Sequence, residues 1–126
     1  MAEPAVRSLL IEVEHGVRVC ILRLKGHFRT GESRLYISDK ADEIRSHNCI
    51  NMVADVSELV SIGSMGMGFL VGICVSVTKK AGGGGFILAG ANERVQAVLD
   101  TTRLCTIIPS APDLPSALAA LSRKRD

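Results

Sequence analysis

Tryptophan is absent from this chain of 126 residues, and the other aromatics amount to one Tyr and three Phe. Nucleic-acid surfaces stack bases on aromatic side chains and need a dense basic face. The chain has neither, because 15 Lys and Arg against 13 Asp and Glu leave a net charge of only +2. The visible basic cluster, Arg123-Lys124-Arg125, reads as part of a solvated tail over residues 122–126. No apolar run reaches the roughly 20 residues needed to cross a bilayer, so no membrane insertion is expected. The polar start Met1–Arg7 does not resemble a signal peptide. We expect a loose end over residues 1–7 and a cytoplasmic protein. Cysteine pairs at metal or redox spacing are also missing. Cys20, Cys49, Cys74 and Cys105 lie singly inside apolar segments. They are expected to be buried free thiols rather than disulfides or a zinc site. His15, His27 and His47 lack pairwise metal spacing, so neither metal nor cofactor is expected.

What is present is 47% hydrophobic residues in short patterned runs, enough for one domain with its own core. Leu9–Val13 and Val17–Leu24 read as an antiparallel hairpin turning at Glu14-His15-Gly16, with Gly16 free to take positive φ. Gly26 ends the second strand, and His27–Gly31 reads as a loop. A helix is predicted over Glu32–His47, with Thr30 or Ser33 as its cap and Ile37, Ala41 and Ile44 facing one way. Ile50–Val56 is a buried strand, and the helix before it makes it parallel to an earlier one. A second helix spans Ser64–Lys80, with Phe69, Leu70, Ile73, Cys74 and Val77 on its apolar face. After Gly82–Gly85 come a strand at Phe86–Ala89, a helix at Asn92–Thr102, a strand at Cys105–Ile108 and a helix at Pro112–Leu121. The order implies an α/β domain, a mixed sheet with about four helices packed on it.

The stretch Asp55–Gly72 organises this plan: a strand end, a short loop, then a glycine-rich helix start. Gly66, Gly68 and Gly72 each cost about 1 kcal/mol against alanine in a helix. Close approach of the helix to the sheet, or of a partner to the helix, must offset that. Ser64 stands at the junction. It can cap the helix, and the same place suits a phosphate, because free N–H groups and the helix dipole point there. Met65 and Met67, two apart, cannot both turn inward on a helix, so one is expected exposed at a partner interface. Gly63-Ser64-Met65-Gly66 lacks the first glycine of a nucleophile elbow, and all three histidines precede Ser64, so hydrolysis is not indicated. Gly82–Gly85 lacks the Lys-Ser/Thr of a P-loop, and Gly66-Met67-Gly68 reaches Val71 where a dinucleotide fingerprint wants Gly or Ala. No enzyme is expected.

Several pieces in order carry a resemblance: Leu22-Arg-Leu-Lys-Gly26, Val53-Ala-Asp55-Val-Ser57, Gly63-Ser64-Met65-Gly66-Met67-Gly68, Gly85-Phe-Ile-Leu-Ala89 and Val95–Leu104. The chain resembles a STAS domain, the fold of bacterial anti-sigma factor antagonists, over residues 8–121. In that family the helix-start motif is Asp-Ser-Ser/Thr-Gly-Leu-Gly, and its first serine accepts phosphate. The resemblance therefore makes Ser64 the phosphate acceptor. It implies partner switching: the antagonist binds an anti-sigma factor that is also a serine kinase, is released when phosphorylated, and is reset by a phosphatase. The expected partner-facing residues are Arg29, Thr30, Ser57, Ser61, Ile62, Gly63, Met65, Gly66, Met67 and Asn92. Four positions depart from the family pattern. Gly63 replaces the motif Asp, Met65 its Ser/Thr, Arg29 an acidic residue, and Arg103 a glycine. If that last site is left-handed, a side chain there costs about 1–2 kcal/mol. The alternative is a STAS interaction module that is not phosphorylated, in a sensory assembly or a lipid-transport complex. The chain is expected to be a monomer or a weak dimer.

Overall fold

The β-hairpin is where the alternation of apolar residues is clearest. In the computed structural model, which describes residues 9–16, 19–28, 34–46, 51–79, 85–104 and 108–124, β1 spans Leu9–His15 and β2 spans Val19–Phe28. Leu9 and Ile11 turn inward with Cys20, Leu22 and Leu24 opposite, while Glu12 and Glu14 face water. On the outer face Glu14 pairs with Arg23 at 2.8 Å and Glu12 with Lys25 at 3.2 Å, so the charged residues close over that side of the hairpin. Gly16 turns without a left-handed φ, its N–H donating to the Val19 carbonyl at 3.1 Å.

The remaining elements are α1 (Arg34–Ser46), β3 (Asn51–Ile62), α2 (Ser64–Thr78), β4 (Gly85–Ala89), α3 (Glu93–Thr101), β5 (Ser110–Ala111) and α4 (Leu114–Lys124). The sheet order is β1-β2-β3-β4-β5, antiparallel between β1 and β2 and parallel from β2 onward. As expected, β3 is parallel to its neighbours. It sits in the middle of the sheet because its apolar run is buried on both faces. Met52, Ala54 and Val56 meet one cluster, with Ala41 and Ile44 of α1, Phe69, Leu70 and Ile73 of α2, and Val95 and Leu99 of α3. Val53 meets the other, with Ala117 and Leu121 of α4. The tyrosine hydroxyl ties α1 to the edge strand: the Ile11 N–H donates to Tyr36 Oη at 2.8 Å.

Several boundaries differ from the sequence reading, each for a local reason. β2 does not stop at Gly26 but bends through it, with φ 94°, and carries His27 and Phe28 as strand. Ser57–Ser61 is not a loop but the second half of β3. Its pairing with β2 slips twice, between Arg23 and Lys25 and between Gly26 and His27. Five steps along β2 from Arg23 to Phe28 therefore match seven along β3 from Asp55 to Ile62. Bulges of this kind break the period-2 burial pattern and bend the strand. The Ser57 N–H donates to Asp55 Oδ1 at 3.0 Å within the first of them. The last strand lies at Ser110–Ala111 instead of Cys105–Ile108; residues 105–107 lie outside the described residues, and Ile108 is buried in a bend. Helix α4 starts at Leu114, where Asp113 accepts the Ser116 N–H at 2.8 Å, and its backbone continues through the expected tail to Lys124. Cys20 is not a free thiol but disulfide-bonded, its partner lying outside the described residues with Cys49 and Cys105. Cys74 is free and buried, and burial raises its thiol pKa. Arg103 has φ 63°, so the left-handed site anticipated there exists and carries a side chain.

Candidate functional site

The double slip in β3 delivers its end against the end of β2. The Gly63 N–H donates to the Phe28 carbonyl at 2.7 Å, and the Gly63 carbonyl accepts from the Met67 N–H at 3.0 Å. Gly63 is thus the cap residue of α2, extended at φ −114° and ψ −169°, and no side chain caps the helix. This corrects the expectation that Ser64 caps it. Ser64 is the first helical residue, one position too late for its side chain to fold back as a cap, and it is exposed. Among the described residues its hydroxyl has no hydrogen-bond partner. The site is a free hydroxyl at an uncapped helix start, where N–H groups and the dipole favour negative charge.

The glycines of α2 divide by what surrounds them. A Cβ on Gly66 would lie 2.6 Å from Ile62 Cγ1 and 2.8 Å from Phe28 Cγ, so this glycine lets the helix approach the sheet. Gly68 and Gly72 have nothing within 4 Å of a Cβ, so contact with the sheet does not explain them. No residue of α2 is charged. Met65 and Met67 are both half-buried and packed on the core, instead of one pointing out. Close approach at Gly66 brings the first turn down far enough to half-cover both.

The remaining expected residues are placed as follows. Ile62 is buried under Gly66. Ser61 Oγ lies 2.8 Å from His27 Nδ1, a pair joining the ends of β2 and β3 near the same corner. Ser57 is exposed and packs under Gly90, whose φ of 77° and missing Cβ leave room for it. Asn92 is the N-cap of α3, accepting the Val95 N–H at 2.8 Å, while its Nδ2 donates to the carbonyls of Leu59 at 2.9 Å and Val60 at 3.3 Å. Its side chain is therefore occupied within the fold. Arg29 and Thr30 lie outside the described residues. Sequence reasoning missed one feature: a cleft of about 400 Å³ between the starts of α1 and α2, lined by Arg34, Ile37, Ser38, Ser64 and Met65. No spacing in the chain links residue 34 to residue 64, so only the packing of the two helices could reveal it. Among the described residues no three His, Cys, Asp or Glu side chains come together as metal ligands, and no helix is long and apolar enough to cross a membrane.

The sequence profile of the STAS domain matches residues 10–117. The chain belongs to the STAS domain family. This STAS domain is 28% identical over 114 residues to an anti-sigma F factor antagonist from Paenibacillus polymyxa, covering 90% of this chain and 96% of that protein. Among solved structures it resembles an anti-sigma factor antagonist from Mycobacterium paratuberculosis, with a TM-score of 0.77 and 21% identity, covering 94% of this chain and 96% of the other. It also resembles the Bacillus cell fate determinant SpoIIAA in its phosphorylated form, with a TM-score of 0.61 and 17% identity, covering 81% and 91% of the two chains. The mixed five-stranded sheet with four helices is the STAS fold.

Proposed function

We propose that this STAS domain is an anti-sigma factor antagonist-like binding module that works by partner switching, gated by phosphorylation of Ser64. The observation that carries the reading is the exposed Ser64 hydroxyl at an uncapped helix start, set in an apolar corner with Met65 and Met67. A phosphoryl group adds about −1.5 to −2 charges. The fold tolerates them, since they sit at the positive end of α2. A partner that covers the corner does not, because it must bury unpaired charge. The partner is an anti-sigma factor with serine kinase activity. A phosphatase restores the hydroxyl, and the exchange takes place in the bacterial cytoplasm. The domain binds and is acted upon; it is not an enzyme. The relative from Paenibacillus polymyxa, named an anti-sigma F factor antagonist, and a structural neighbour solved in a phosphorylated form support this reading.

Gly63 and Met65 favour one alternative, a constitutive STAS interaction module in a sensory assembly or a lipid-transport complex. They leave the serine with uncharged chain neighbours and no carboxylate beside it. Intact mass after incubation with ATP and the cognate kinase separates the two, with one added phosphoryl expected and its absence from Ser64→Ala. The companion measurement is a titration against the partner. Ser64→Ala should bind like wild type and unfold at nearly the same temperature, since Ser64 caps nothing. Ser64→Glu should keep its stability but bind at least about tenfold more weakly, equivalent to 1.4 kcal/mol. Equal affinity of all three proteins would remove Ser64 from the interface.

A further inference from the structure

Arg34 stands at the N-terminal end of α1, an uncomfortable place for a cation, because the helix dipole there is positive. The other well-placed bases on this side of the chain have acidic partners: Lys40 meets Glu43 at 3.6 Å and Arg45 meets Asp42 at 3.3 Å. Among the described residues Arg34 has none. It lines the 400 Å³ cleft together with Ser64, and it is the charged residue of that lining; the others are Ile37, Ser38 and Met65. At about 30 Å³ of liquid per water, roughly a dozen waters fill such a space. A phosphoryl group on Ser64 would take the place of a few of them.

We propose that Arg34 is the receiving group for phosphorylated Ser64: its guanidinium pairs with the phosphoryl oxygens across the α1–α2 cleft and holds the modified corner in one arrangement. The guanidinium fork matches two phosphate oxygens at once, which an ammonium cannot do. The Ser38 hydroxyl lines the same space and supplies a further donor. In this chain the phosphate then does more than repel a partner. It joins two helices, so the phosphorylated form is a distinct ordered state with part of the cleft occupied. The proposal rests on the reading of Ser64 as the phosphate acceptor.

The test installs phosphoserine at position 64 during synthesis, so it needs neither the kinase nor the partner. The phosphorus NMR resonance is followed against pH in the wild type, Arg34→Gln and Arg34→Lys, with circular dichroism showing that each is folded. A free phosphoserine loses its second proton near about pH 6. Arg34 should lower that midpoint by about half a unit or more, Gln should return it to the free value, and Lys should fall between. The wild-type shift should shrink at high salt, because Arg34 and Ser64 are both exposed. Equal midpoints in wild type and Arg34→Gln overturn the role of Arg34 and leave gating by Ser64 untouched. Equal partner affinities in the Ser64 variants overturn gating and leave this titration standing.

Discussion

Two alanine substitutions in one turn of α2 should shift stability in opposite directions. At Gly66 the added methyl would lie 2.6 Å from Ile62 Cγ1, 2.8 Å from Phe28 Cγ and 3.0 Å from Phe28 Cβ. Ordinary carbon contacts start near 3.5 Å. The obstructing atoms are the roots of side chains, not their mobile ends. Phe28 is fully buried, and its ring is backed by Phe69 with centroids 5.4 Å apart. The helix cannot lift off easily either, because Gly63 bonds to the Phe28 carbonyl. Overpacking costs about 1–3 kcal/mol, and alanine's helix preference offsets about 1 kcal/mol of it. Gly66→Ala should therefore destabilise by about 1–2 kcal/mol, given how rigid the obstruction is. Gly68→Ala meets nothing within 4 Å, so it should stabilise by about 0.5–1 kcal/mol. At about 4 °C per kcal/mol for a chain of this size, the two variants should melt roughly 8 °C apart. Urea unfolding with a common m-value checks that neither variant changes the surface exposed on unfolding. A stabilised Gly66→Ala would refute the argument that this glycine exists for close approach.

Other expectations follow from contacts already described. Asn92→Ala should destabilise by about 1–2 kcal/mol, since it removes the α3 cap and orphans the carbonyls it bridges on β3. Asn92→Asp keeps the cap but not the donor and should recover about half; an unfolding free energy equal to wild type would contradict this. Under non-reducing conditions Cys20 should resist a thiol reagent even in denaturant, whereas Cys74 should react slowly when native and fast when denatured. Labelled tryptic peptides distinguish them, and modification of Cys20 without reductant would rule out its disulfide. Glu43 is held below the ordinary carboxylate range, chiefly by its hydrogen bond with His15 at 3.2 Å and also by Lys40. A depressed folded pKa gives stability that is present above the unfolded pKa and is lost as pH falls through the folded one. The acid limb of the melting curve should be slightly shallower in Glu43→Gln, the effect being small because the pair is solvent-exposed; a steeper limb would be inconsistent with the pairing.

The hairpin, the helix faces and the central parallel strand were legible because each depends on a local period. Ile37, Ala41 and Ile44 on one helix, and Leu22 and Leu24 on one strand, announce their faces at fixed spacing. The second half of β3 was not legible. Its two bulges leave Ser57 and Glu58 exposed side by side, and that pair looks like a turn. Ser64 stands at the start of α2, but as its first helical residue rather than its cap. Cap and first helical residue differ by one position, and boundaries read from pattern are uncertain by more than that. The cleft with Arg34 and the Cys20 disulfide join residues far apart in sequence, and no spacing encodes such a meeting. The left-handed Arg103 was anticipated from the family pattern, and the chain's own composition gave no sign of it.

The parallel pairing of β3 has a consequence for the order in which the corner can come into being. In the hairpin His15 faces Cys20, five residues away, whereas Ile21 faces Val53 and Met52 faces Phe86. Each of those longer closures spans over thirty residues and costs about 1.6 kcal/mol more chain entropy than the short one. The bond from Gly63 to Phe28 exists only after β2 and β3 have met along their whole bulged length. A nascent or partly unfolded chain therefore carries the serine but not the surface around it. A partner that reads this corner is, by geometry alone, also reading whether the chain has finished folding.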